Sequence, residues 1–152
     1  MTDPDFAPRS ADYAGRVRDS FARQAVMTTF GARLVRVVPG RVVAEMGFSA
    51  ALTQQHGFLH AGVVAAVLDS ACGFAALSLM DEDSAVLTAE FKINLLAPAA
   101  GQMFRFDGQV IKAGRTLLPT EGRAYAVNDG AERLIATMSA TMMAVRGRGL
   151  TG

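Results

Sequence analysis

The run Thr53-Gln54-Gln55-His56-Gly57-Phe58-Leu59-His60-Ala61-Gly62 leads into an apolar stretch, residues 63–79, interrupted mainly by Asp69. Two kinds of chemistry sit within it. A helix that begins near His60 leaves the backbone N–H groups of Ala61 and Gly62 free, at an end where the macrodipole favours negative charge; such an end can hold an oxyanion. Gly57 and Gly62 permit close approach of backbone or ligand, and Gln54 adds a side-chain amide donor. The alternative is a plain helix start with flexible glycines. Asp69 is harder to explain as structure, because aspartate is a poor mid-helix residue and is rarely buried without a partner. Its helical neighbours Ala65, Ala66, Cys72 and Gly73 are all small. A carboxylate so placed faces open space or another backbone, which suits a base or nucleophile that must meet a substrate or a water. The alternative is an aspartate bonded to a neighbouring strand or to a partner subunit.

Spacing adds a constraint. Ala61 and Asp69 are eight residues apart, roughly 12 Å along a helix. A carboxylate that attacks a carbonyl and the donors that hold its oxygen must both come within about 3 Å of the reacting group. One subunit cannot easily supply both. A two-fold dimer with antiparallel helices would pair Ala61 of one chain with Asp69 of the other and create two equivalent sites.

The elements that position these residues can be read outward from the helix. A run of about 18 apolar residues reaches the usual threshold for a membrane span. Asp69 argues against one, at about 3 kcal/mol for a charge near a bilayer centre, and so does the high share of Ala, Gly, Ser and Cys. The stretch reads as the central helix of a soluble domain, with no membrane partner. At 152 residues and 51% hydrophobic content, a single domain with a substantial core is expected. A net charge of +1 without a basic block argues against a nucleic-acid partner. Lone Cys72 and an N-terminus without a signal-peptide pattern point to the cytoplasm. No cluster of residues has metal-ligand spacing, so no metal is expected.

Residues 1–12 read as a flexible lead-in, 13–146 as the domain and 147–152 as a C-terminal tail. Over 13–30, Val17, Phe21, Ala25 and Met27 predict one short amphipathic helix, closed by Gly31. Valine-rich strands are predicted at 33–38 and 41–48 around Pro39-Gly40. Residues 86–95 alternate, with Leu87, Ala89, Phe91, Ile93 and Leu95 on one face and Thr88, Glu90, Lys92 and Asn94 on the other, which predicts a half-buried strand. Further strands are expected at 102–113, 117–128 and 133–145, the last two joined by the hairpin signal Asn128-Asp129-Gly130. The order predicts an α+β fold: a curved antiparallel sheet holding one long helix.

With these residues in place, the sequence resembles the hotdog-fold acyl-CoA thioesterases, in their PaaI-like, phenylacetate-pathway branch. The resemblance covers residues 34–145. It rests on Gly57-Phe58-Leu59-His60-Ala61-Gly62 followed by Asp69, on Phe91-Lys92-Ile93-Asn94-Leu95-Leu96-Ala97-Pro98-Ala99, and on Gly114-Arg115-Thr116-Leu117. It implies a five- or six-stranded antiparallel sheet wrapped around a central helix, in subunits that form homodimers and often homotetramers. It also implies that Asp69 is the nucleophile or general base and that the Ala61 N–H, where the family usually has Gly, polarises the thioester carbonyl. Gln54 then maps to an Asn or Gln that orients the carbonyl, and Thr88 to a Ser or Thr that orients the attacking water. Thr88 reaches the site only if its strand face points toward the helix.

Around this centre, His60 reads as a loop-fixing group or a base, and His56 as a pocket residue or an exposed one. Phe58, with Phe74, Leu77 and Met80, is a candidate for the acyl pocket, the alternative for each being core. Gly62 and Asn94 complete the candidate substrate-binding set, and Arg115, with Lys112 and Arg146, could meet the coenzyme A phosphates. The expected function is hydrolysis of an acyl-CoA or related thioester, with coenzyme A entering as part of the substrate and no separate cofactor. A non-catalytic acyl-CoA binding dimer is the alternative, and a hotdog hydratase or dehydratase fits the motif less well.

Overall fold

The first helix, α1 (Tyr13–Ala22), starts where the Asp12 carboxylate accepts the Gly15 N–H at 3.3 Å, and it buries Val17 and Phe21 one turn apart. The computed structural model describes residues 1–150 and 152. The predicted helix over 13–30 is in fact two, because Gln24 adopts an extended backbone and α2 (Ala25–Phe30) starts afresh behind it. The reason lies in the apolar spacing. Met27 is six residues beyond Phe21, about 120° off its face in a continuous helix, and the break turns Met27 into the core. Gly31 closes α2 with φ 67°, as its position predicts.

Six antiparallel strands follow: β1 (Arg33–Val38), β2 (Arg41–Gly47), β3 (Ser84–Leu95), β4 (Met103–Val110), β5 (Leu117–Asn128) and β6 (Ala131–Arg146). They lie in the order β1-β2-β4-β5-β6-β3. Asp129 and Gly130, both at positive φ, make the tight β5–β6 turn that the Asp-Gly pair predicts. Strand β4 stops short of the predicted 102–113, because the chain bends where the Gly114 N–H bonds the Lys112 carbonyl. The α+β architecture, a six-stranded sheet around a long helix, is the expected hotdog fold. Residues 1–12 form no helix or strand, but the Asp3 carboxylate bonds Arg36 and Arg41, and the Ser10 hydroxyl bonds Glu82 at 3.0 Å. The predicted tail at 147–152 includes Thr151, which lies outside the described residues.

The central helix, α3 (Ala61–Leu77), lies against the face of the sheet that carries Phe104, Phe106, Leu118 and Met142, all fully buried. Its close approach depends on Gly108 and Gly122, cross-strand partners on β4 and β5. A Cβ on Gly108 would lie 2.4 Å from the Ala71 carbonyl carbon and 2.5 Å from the Cys72 nitrogen. Helix backbone and sheet backbone are therefore in direct contact there. The sequence suggests a helix buried on all sides apart from Asp69. The structure instead leaves a stripe uncovered: Ala61 and Gly62 are exposed, and Ala65, Ala66 and Asp69 are half-buried.

Edge strand β3 departs from the predicted alternation. Thr88 pairs with Met142 and Glu90 with Thr141, so Ala89 is an extra residue, a β-bulge. Directly opposed residues share a sheet face. Val86 and Thr88 lie opposite buried Ala144 and Met142, while Phe91, Ile93 and Leu95 lie opposite buried Ala140, Met138 and Ala136. The bulge thus shifts the alternation by one, putting Thr88 and Phe91 on the same, helix-facing side and Leu87 on the other. Leu87, Phe91 and Leu95 remain exposed along this edge.

Candidate active site

Residues 53–59 form a small closed loop. Thr53 bridges to Leu59, the Gln54 N–H bonds the Phe58 carbonyl at 2.9 Å, and the Gly57 N–H bonds the Gln54 carbonyl at 3.0 Å. Gly57 has φ 83°, a conformation L side chains rarely adopt. Within the loop the Gln54 side-chain oxygen accepts the His56 N–H. That bond fixes the amide's orientation and leaves its NH2 without a partner among the described residues. His56 contributes through its backbone, while among the described residues its exposed ring has one hydrogen-bond partner, the Gln55 amide at 3.3 Å.

At the helix start, His60 is the N-cap and its Nδ1 accepts the Gly62 N–H at 2.8 Å. Gly62 is therefore not the free donor the sequence suggests. The Ala61 N–H has no partner among the described residues and is left alone at the positive end of α3. Accepting at Nδ1 places the ring proton of neutral His60 on Nε2. Through Nδ1 the ring holds the start of the helix, while its Nε2 is on the exposed side.

Two turns along α3, Thr88 Oγ1 donates to Asp69 Oδ1 at 2.8 Å and sits 3.5 Å from Met142 Sδ. The simple alternation puts Thr88 on the wrong face; the bulge at Ala89 brings it to the helix. Burial raises the Asp69 pKa above the ordinary aspartate value, and the Thr88 hydrogen bond opposes that rise. Oδ2 has no partner among the described residues, and Thr88 is exposed. The pair is a positioned carboxylate open on one side. Thr88→Val is expected to lower kcat about tenfold, since a hydrogen bond to a charged group contributes about 1.5–3 kcal/mol. Losing it also raises the Asp69 pKa further, so the acid limb of the pH dependence of kcat/KM should move to higher pH. Steady-state rates across pH test this, and an unmoved limb would detach Thr88 from Asp69.

A cavity of about 490 Å³ opens beside the first half of this arrangement. Gln54, Phe58 and Ala61 line one side, and Leu95, Leu96 and Pro98 the other. Val64, Leu59 and Ile135 are its buried walls. Asp69 and Thr88 are not among its lining residues, in keeping with the 12 Å expected from the helix rise. The wall formed by the end of β3 and by Ile135 is absent from the sequence-predicted set. Its one signal is that apolar residues continue through Leu95-Leu96-Ala97-Pro98 after the alternation ends.

Several candidates fall elsewhere. Asn94 lies opposite Thr137, on the face away from the helix, and its amide nitrogen is 3.5 Å from the Thr137 hydroxyl. Arg115 lies in the loop before β5, whose Thr116 carbonyl accepts the Ala144 N–H. That is nine residues from Ile135 along β6, about 30 Å at the rise of a strand, so within one chain Arg115 does not reach the cavity. Arg146 is bonded to Asp81 at 2.6 Å. Phe74, Leu77 and Met80 are core, with Phe74 packed edge-on against Phe21 at 5.5 Å. Cys72 is buried, and its desolvation pushes the thiol up to about 12, which keeps it out of thiolate chemistry. Among the described residues, no His, Cys, Asp and Glu side chains group closely enough to hold a metal ion, and no helix is long and apolar enough to cross a membrane.

Comparison with known proteins adds four similarities. The family model described as thioesterase superfamily matches residues 56–132, which include Ala61, Asp69 and Thr88 but not Gln54. The crystal structure of a thioesterase family protein from Silicibacter pomeroyi is 61% identical, covers 89% of this chain and 99% of its own, and superposes with a TM-score of 0.87. The E. coli PaaI protein of the phenylacetic acid degradation operon shares the fold, at a TM-score of 0.80 and 19% identity over 91% of this chain and 97% of its own. A Saccharolobus solfataricus protein that carries a provisional esterase name is 33% identical over 59% of this chain, and the match spans 63% of that relative's length.

Proposed function

The chain belongs to the thioesterase superfamily, and from that premise we propose that it hydrolyses an acyl-CoA or a closely related thioester at a site shared by two subunits. The observation that carries this reading is the division of the chemistry. The Ala61 N–H and Gln54 border a cavity that excludes Asp69 and Thr88, while Asp69 lies on the uncovered stripe of α3. Two chains related by a two-fold axis, with their stripes opposed, bring Asp69 of each to the cavity of the other.

In that assembly the Ala61 N–H and the Gln54 amide hold the thioester oxygen, and their hydrogen bonds strengthen as negative charge develops on it. Asp69 of the other chain, its orientation fixed by Thr88, takes the proton of a water as the oxygen of that water adds to the carbonyl carbon. The C–S bond then breaks, the acid leaves, and the coenzyme A thiolate takes up the proton. Direct attack by Asp69 through a mixed anhydride, which water then hydrolyses, uses the same groups. Neither route calls on a metal or redox cofactor, and coenzyme A enters only with the substrate. A lone, unpaired Cys72 fits a reducing compartment, and the proposal therefore places the reaction in the cytoplasm.

Mixing variants tests the division between chains. Asp69→Asn and Gln54→Ala, each nearly inactive alone, are expected to recover about a quarter of wild-type activity after unfolding and refolding together. Half of the dimers are then mixed, and each mixed dimer holds one intact site of its two. No recovery, with mixed dimers demonstrated by mass, would place both groups in one chain. Binding of acyl-CoA without hydrolysis by the wild type would instead make the protein a binding dimer.

A further inference from the structure

We propose that the acyl group this site accepts is uncharged and apolar, and that Val64 limits its length. The inference rests on the thioester reading above and concerns what lies beyond the carbonyl. Val64 follows Ala61 by three residues on the same face of α3, about 4.5 Å further along the axis. It is buried and lines the cavity together with Ala61, Leu59 and Ile135. An acyl group whose oxygen meets the Ala61 N–H and whose tail enters the cavity therefore runs beside Val64 within a helical turn of its carbonyl.

The wall chemistry sets the class. Apart from Gln54 at the mouth, every side chain that lines the cavity is apolar, and none of the described lining residues is charged. Arg133 is nearby but is engaged with the Pro98 carbonyl at 2.8 Å and is not a lining residue. A terminal carboxylate carried into this space would lose its water without gaining a partner, a cost of several kcal/mol in general. Each methylene that enters gains transfer energy instead, a rate factor of about four from the ~0.8 kcal/mol of one buried methylene.

The experiment is a straight-chain acyl-CoA series from acetyl upward, with succinyl-CoA and glutaryl-CoA as charged counterparts, assayed on the wild type, Val64→Ala and Val64→Phe. In the wild type, kcat/KM should rise about fourfold per methylene to a maximum and then fall, with each charged substrate at least a hundredfold below the uncharged one of equal length. Val64→Ala should move the maximum to longer chains and Val64→Phe to shorter ones. Ile135→Phe provides a second shortening variant should Val64→Phe fail to fold, as judged by thermal melting. Comparable rates for succinyl-CoA and butyryl-CoA would overturn the proposal, as would a maximum that stays in place in the folded variants. Affinities for non-hydrolysable S-alkyl coenzyme A thioethers, measured calorimetrically, separate this from failure of the thioesterase reading. The same chain-length order without any hydrolysis keeps the cavity assignment and removes the reaction; no order at all removes the assignment.

Discussion

Asp69→Asn is expected to lower kcat by about three orders of magnitude, within the range that a positioned general base supplies. The substitution keeps the shape of the side chain and the oxygen that accepts from Thr88, so the fold should persist. Stability gives a second, opposite signature. Burial raises the Asp69 pKa in the folded protein, so above its unfolded value the folded state carries a charge it disfavours. Asparagine removes that burden. The variant should therefore melt at or above the wild-type temperature near neutral pH, and the difference should vanish at low pH, where the carboxyl is protonated in both states. A scanning calorimetry series over pH, run beside the kinetics, reads both effects. Near wild-type turnover in the variant would remove Asp69 from the mechanism.

The second large effect concerns the position of α3 rather than its chemistry. Gly108→Ala places a methyl 2.4 Å from the Ala71 carbonyl carbon and 2.5 Å from the Cys72 nitrogen. Both are backbone atoms of the central helix, so no side chain can rotate away and the helix itself must move. A cost of about 3 kcal/mol follows, the upper part of the usual overpacking range. In a domain of this size that lowers Tm by roughly 10 °C. Hydrolysis should fall as well, because α3 carries both Ala61 and Asp69. Gly47→Ala is the control: a Cβ there meets nothing within 4 Å and φ is not positive, so the change should stay within about 0.5 kcal/mol. Thermal melts of the two variants side by side decide the matter, and equal losses would refute the backbone-contact explanation.

What the sequence made legible was local. The start of α3 at His60, the αL residue at Gly31 and the Asp129-Gly130 turn follow from residue types whose backbone preferences are strong. The separation of Ala61 from Asp69 follows from helix rise alone. The misreadings came where one residue changed a periodicity. The alternation over 86–95 looks regular because Leu87 and Ala89 are apolar too, and it gives no sign that Ala89 is the extra residue. That single shift reverses the side on which Thr88 lies. Likewise, the apolar spacing assigns Phe21 and Met27 to one helix, and Gln24 breaks it. The Gly62 donor was lost to the His60 ring, a side-chain choice that spacing cannot reveal. The cavity wall of Leu95, Leu96 and Ile135 comes from strand ends far apart in the chain, brought together only by the β3–β6 pairing.

The two edges of the sheet are treated differently. Strand β1 is short, carries Arg33 and Arg36, and breaks register between Leu34 and Arg36, three devices that discourage another strand from joining. Strand β3 is twice as long and leaves Leu87, Phe91 and Leu95 in the open. Its bulge sits mid-strand at Ala89, yet the run from Glu90 to Leu95 beyond it is an uninterrupted template of unpaired backbone groups. A newly folded single chain therefore carries an adhesive border on one flank and a guarded one on the other. Until that border is covered it can be extended by any free strand, so losses on folding should grow with the concentration of chains.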